Sequence, residues 1–157
     1  VERPGEPTTL GAFIYWLVER EPDLEVFLLR WDTGAIKSLF RGSTIFTMIK
    51  WMQHKRIHTK LDGHHPTGAS HHQKIVIIDD SFAFCGGIDM TFYRWDMREH
   101  LDAVPRRIEP YGTPYQPWHD VTTALEGPVA AALGDMCLHL WQVSCVDALP
   151  APTDGAE

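Results

Sequence analysis

The stretch Ser70-His71-His72-Gln73-Lys74-Ile75-Val76-Ile77-Ile78-Asp79-Asp80 decides how this chain is read. Residues 75–78 are all β-branched, the pattern of a strand covered on both faces. Side chains two apart on a strand project from the same face, so His72 and Lys74 belong together. A neutral imidazole can attack phosphorus, and an ammonium can hold phosphate oxygens. Asp79 falls on the opposite parity at the far end of the strand, where it is expected to organise the turn.

Working outward, Phe82-Ala83-Phe84-Cys85 reads as a second short strand, closed by Gly86-Gly87-Ile88-Asp89. Two glycines allow the backbone to approach another chain segment or an anionic ligand with no Cβ in the way. Six residues, 80–85, separate Asp79 from Gly86. The whole string, His72, Lys74, Asp79, Gly86, Gly87 and Asp89, resembles the signature of the phospholipase D superfamily. That signature is His-x-Lys-x4-Asp, followed six residues later by Gly-Gly or Gly-Ser and then Asn or Asp. Arg94-Trp95-Asp96, Pro117-Trp118-His119-Asp120-Val121, Gly127-Pro128 and a helix with Trp141 extend the resemblance over residues 8–145. It is similar to the first catalytic half of lipid-acting members, in the bacterial phospholipase D and cardiolipin-synthase-like branch.

The resemblance implies a site assembled from two such motifs, each giving one histidine. This chain carries one, since His58-Thr59-Lys60 has no aspartate at position 65. It is therefore expected to be a fragment: one catalytic half-domain over residues 1–148 with a disordered tail at 149–157. The second half would lie in cis in the full-length protein or come from a homodimer partner, and the bare half is expected to self-associate. The implied chemistry is phosphodiester hydrolysis or phosphatidyl transfer on a phospholipid, through a covalent phosphohistidine on His72. Lys74 stabilises charge, and no metal or other cofactor is required. An orienting carboxylate for His72 is sought among Asp89, Asp96 and Glu99, with Asp96 preferred. The catalytic set is then His72, Lys74, Asp79 and Asp96, with Gly86, Gly87, Asp89, His119 and Asp120 toward the substrate. The alternatives are a dimeric nuclease of the same fold and a non-catalytic module binding a phosphorylated headgroup.

Composition bears on these choices. A net charge of −7 argues against a broad grip on nucleic acid and leaves room for a local positive pocket. No run approaches the ~20 apolar residues that cross a bilayer. Cys85, Cys137 and Cys145 lack metal spacing and read as reduced thiols, which points to a cytoplasmic or peripheral membrane location. His64, His65, His71 and His72 are close in sequence, but adjacent strand residues face opposite ways and no cysteine or carboxylate completes a recognised metal set.

The rest of the chain reads as one α/β unit. Helices are expected at Leu10 to Arg20, Phe46 to His54 and Leu125 to Val143, and strands at Leu24 to Trp31 and Arg56 to Leu61, with a turn at Asp32-Thr33-Gly34. The last helix places Val129, Leu133, Met136, Cys137, Leu140 and Trp141 on one stripe. Alternating strands and helices imply a mainly parallel or mixed sheet flanked by helices. Met97 to Gln116, rich in proline and arginine, is expected to be a long functional loop.

Overall fold

A computed structural model describes residues 5, 7, 9–31, 43–66, 69, 72–109 and 112–144. The elements run α1 (Leu10–Arg20), β1 (Val26–Trp31), α2 (Ser43–Gln53), β2 (Ile57–Asp62), β3 (Lys74–Ile78), β4 (Phe82–Gly86), β5 (Thr122–Glu126) and α3 (Pro128–Ser144). Among the described residues, those up to 69 together with 138–144 form one compact unit, and 72–137 form a second. The expected turn at 32–34 and the tail at 149–157 lie outside the described residues.

In the first unit, β1 and β2 pair in parallel from Val26 opposite Ile57 to Trp31 opposite Asp62. Parallel neighbours need a long connection, and α2 lies within it. The core is Val18, Trp51 and Ile57, with Ile14, Tyr15, Leu24, Val26 and Leu28 packed against it. Gly11 lets α1 and α2 approach closely, because a Cβ there would meet Thr47 Cγ2 at 2.4 Å. The Trp51 indole N–H donates to the Gly11 carbonyl at 3.1 Å across the same approach. At its start, Thr9 caps α1 by accepting from the Ala12 N–H. At its end, Arg56 donates to the carbonyl of Val18 in the last turn and to those of Glu21 and Leu24 just beyond the helix. The buried Trp141 of α3 meets the Phe27 ring edge-on at 5.5 Å.

In the second unit, β3, β4 and β5 form an antiparallel sheet in that order. A three-residue loop, 79–81, joins β3 to β4, with Ile78 opposite Phe82 and the Ser81 N–H donating to the Ile78 carbonyl. Asp79 and Asp80 both take positive φ, 49° and 51°, as turns matched to hairpin twist require. Aspartate tolerates that conformation better than most residues. Asp79 therefore organises the turn.

The fold is mixed α/β, but the described strands make two small sheets, only one of them parallel. The expectation of a mainly parallel sheet fails because so short a loop after β3 can only return the chain antiparallel. β3 is not covered on both faces: residues 74–77 are half-buried and Ile78 is exposed. Thr122–Glu126 is a strand, so Leu125 and Glu126, expected in the last helix, belong to β5, and the helix begins at Pro128. Val129 is exposed, and Ala130 takes the buried position instead. Among the described residues no helix is long and apolar enough to cross a membrane.

Candidate active site

His72 lies two residues before Lys74, which is the first residue of β3. The Lys74 ammonium lies 2.9 Å from His72 Nδ1 and 2.8 Å from Nε2, and donates to the His72 carbonyl at 3.1 Å. An ammonium can donate to an imidazole nitrogen only where that nitrogen carries its lone pair. His72 is exposed, while the Lys74 side chain is only 14% exposed.

Opposite Lys74 on β4 stands Gly86. The chain leaves this strand through Gly87 and Ile88 to Asp89, whose carboxylate joins two cations. Its Oδ1 lies 3.1 Å from Lys74 Nζ and its Oδ2 lies 3.0 Å from an Arg94 nitrogen. Burial alone would raise the Asp89 pKa. The hydrogen bonds and charges of Lys74 and Arg94 outweigh it and hold this carboxyl below the usual range.

The two glycines serve the approach of a chain segment. A Cβ on Gly86 would meet the Val121 carbonyl at 2.3 Å, and one on Gly87 would meet Asp120 Oδ1 at 2.3 Å. The Gly87 N–H donates to the Val121 carbonyl at 3.1 Å. Asp120 in turn accepts from the Val121 N–H at 2.7 Å and the Trp118 indole N–H at 3.3 Å. The Arg94 guanidinium lies over the Trp118 ring, 3.7 Å from its centroid. Trp118 is thus joined to the site through Arg94 and Asp89.

Asp96, preferred from the sequence as the carboxylate orienting His72, has other partners. It accepts from Arg107 at 2.6 Å, from its neighbour Met97 N–H at 2.8 Å and from the His100 ring. Burial works against its charge, but these donors, with the charges of Arg107 and His100, hold the Asp96 carboxyl below the usual range. The Arg107 side chain is 1% exposed and also donates to the carbonyls of Leu101 and Asp102. His119 meets the His100 ring edge-on at 5.5 Å, so the adjacent residues His119 and Asp120 belong to different clusters. Arg94 pairs with Asp89, and Arg107 with Asp96.

The geometry gathers His72, Lys74 and Asp89 at one end of a hairpin that closes on a Gly-Gly exit, and a family profile described as phospholipase D matches residues 19–152. The chain belongs to the phospholipase D family. It is 26% identical to phospholipase D C of Dictyostelium discoideum over 132 residues, 68% of this chain and 8% of that protein. Against phospholipase D zeta 1 of Arabidopsis thaliana the identity is 34% over 85 residues, 38% of this chain and 8% of the relative. A 31-residue stretch is 61% identical to human phospholipase D1, covering 20% of this chain and 3% of that protein. These relatives are eukaryotic, whereas the sequence resemblance was placed in the bacterial and cardiolipin-synthase-like branch. The chain spans less than a tenth of the length of each.

Arg94 and Trp118 are the members of the site that sequence reasoning left unassigned. The available signals were the recurrence of arginines and aromatics between 93 and 118 and the place of both residues in stretches that carry the family resemblance.

Proposed function

We propose that this chain supplies one half of a phospholipase D-type active site acting on phospholipid phosphodiesters. The observation that carries the reading is the Lys74 ammonium, held between the His72 ring and the Asp89 carboxylate. In the reaction a ring nitrogen of His72 uses its lone pair to form a P–N bond. The P–O bond to the headgroup alcohol breaks, and the histidine of a second motif gives that oxygen a proton. Water or another alcohol then attacks phosphorus, loses its proton to the second histidine, and the P–N bond breaks. Lys74 supplies positive charge to the phosphoryl oxygens as negative charge grows there. Asp79 holds the turn and Asp96 the following loop. Gly86, Gly87, His119 and Asp120 shape the substrate side, with Asp120 seated against Gly87.

Two features favour a lipid over a nucleic acid. The chain carries a net charge of −7. The segment after the motif also exposes Met90, Trp95 and Leu101, apolar groups that suit a membrane surface.

The test is turnover of a chromogenic phosphodiester and of phosphatidylcholine micelles by the full-length protein, with chelator present and His72→Ala as control. Labelled substrate quenched during turnover should leave an acid-labile phosphoryl group on the protein, absent from the variant. Full activity in His72→Ala would remove the proposal. Turnover of DNA with none of lipid would transfer it to the nuclease reading.

A further inference from the structure

We propose that Arg94 and Trp118 are positioning residues that fix where the Lys74 ammonium sits, acting through the Asp89 carboxylate. Lysine ends a flexible four-carbon stem, and its ammonium is a point charge with no preferred plane. Something rigid must therefore define its place. The Asp89 carboxylate divides its oxygens, Oδ1 toward Lys74 at 3.1 Å and Oδ2 toward Arg94 at 3.0 Å, so moving one cation turns the group that holds the other.

Arg94 is itself held by two things. The carboxylate fixes one edge of the guanidinium, and the Trp118 ring lies against its face at 3.7 Å. Its Nε, like that of Arg107, is buried and has no hydrogen-bond partner among the described residues. The Trp118 ring is oriented by its N–H on Asp120, and Asp120 rests where a Cβ of Gly87 would be. A line of contacts thus runs Lys74, Asp89, Arg94, Trp118, Asp120 and back to the Gly87 exit of β4. Arg107, by contrast, donates to two backbone carbonyls and so ties down its own loop. Arg94 spends its described contacts on a carboxylate and a ring, which is what a brace for a neighbouring side chain requires.

The role assigned to Lys74 in catalysis rests on the function proposed above, whereas the brace itself is tested without turnover. The 1H–15N ammonium resonance of Lys74, recorded on this chain in the cold at mildly acidic pH, should be visible and well dispersed. Trp118→Leu and Arg94→Gln should abolish or collapse that resonance with the backbone spectrum elsewhere retained. Trp118→Phe, which keeps an aromatic face, should preserve it, and exposed Arg98→Gln should leave it unchanged. An unchanged Lys74 resonance in Trp118→Leu and Arg94→Gln overturns the proposal, as does its absence from the unaltered chain. If Trp118→Leu does not fold, Arg94→Lys decides, because it keeps the charge and loses the planar stack. Its resonance must move, and an unmoved one is a refutation.

In the full-length enzyme the same two variants should lower kcat/KM on a soluble diester on the order of a hundredfold, the scale of a misplacement of about 1 Å. Arg98→Gln should leave it unaltered. A lost resonance with undiminished turnover would support the brace and refute the role given to Lys74.

Discussion

Asp89 and Asp96 stand seven residues apart, and each is gripped by an arginine, yet the two pairs do opposite things. Around Asp96 the pair is closed. The carboxylate is 9% exposed, Arg107 is 1% exposed, and one further nitrogen of the arginine donates to two backbone carbonyls, while its buried Nε has no partner among the described residues. Around Asp89 the pair is open. The carboxylate is 38% exposed and its second oxygen reaches a lysine that also touches the motif histidine. A buried pair tied to the backbone defines a loop, whereas a half-exposed pair with a shared cation can exchange a partner for a ligand. Burial and the remaining partners separate structure from function where the residue types do not.

Arg107→Ala would test the closed side most severely. It takes from Asp96 its buried cation and from the carbonyls of Leu101 and Asp102 their Arg107 donor, and should cost about 3–5 kcal/mol in urea unfolding. A loss below about 1 kcal/mol would mean that the pair is not what orders the loop. On the open side, Lys74→Ala should lower diester turnover by the full-length protein by about 10²–10³, or about 2.7–4 kcal/mol in the barrier. Stability should stay within about 1 kcal/mol, since the Lys74 pair is partly solvated. If both variants lose stability and activity together, the distinction collapses.

Gly87→Ala probes the link between the regions more gently. The new methyl must displace Asp120, at a cost of about 1–3 kcal/mol. Asp120→Gly in the same chain should relieve part of that loss, and an additive pair would place the clash elsewhere. The smallest effect is expected in acid. Both aspartates have folded pKa values held below the unfolded value of about 3.9. Their contribution is therefore present above about pH 4 and lost as pH falls through the folded values. Urea midpoints measured from neutral to strongly acidic pH should flatten more in Asp96→Asn than in Asp89→Asn. Salt should erase the Asp89 part first.

The parts of this molecule governed by near neighbours were legible in the sequence. α1 and β3 fall where periodicity and β-branching put them, and the meeting of His72 with Lys74 follows from a spacing of two. β5 was hidden because Thr122–Glu126 shows no apolar alternation, and four of its five residues are exposed. The antiparallel order of the second sheet was hidden for a related reason: apolar periodicity locates strands without giving their direction. Asp96 was misplaced beside His72 because it meets an arginine eleven residues away, across a loop whose path no local rule supplies. Arg94 and Trp118 were visible as residues, but their stacking joins segments 24 positions apart.

The loop of Asp79, Asp80 and Ser81 gives the motif's spacing a geometric meaning. Lys74 faces Gly86 across the hairpin, and every pair between them down to Ile78 and Phe82 is in step. The interval between the aspartate and the glycines is therefore an arc length, the distance out around one turn and back to the starting level. One inserted residue would send the lysine-bearing side of a strand to the wrong face, or carry Gly86 past the lysine it faces. What reads in the sequence as a signature is, in space, a ruler.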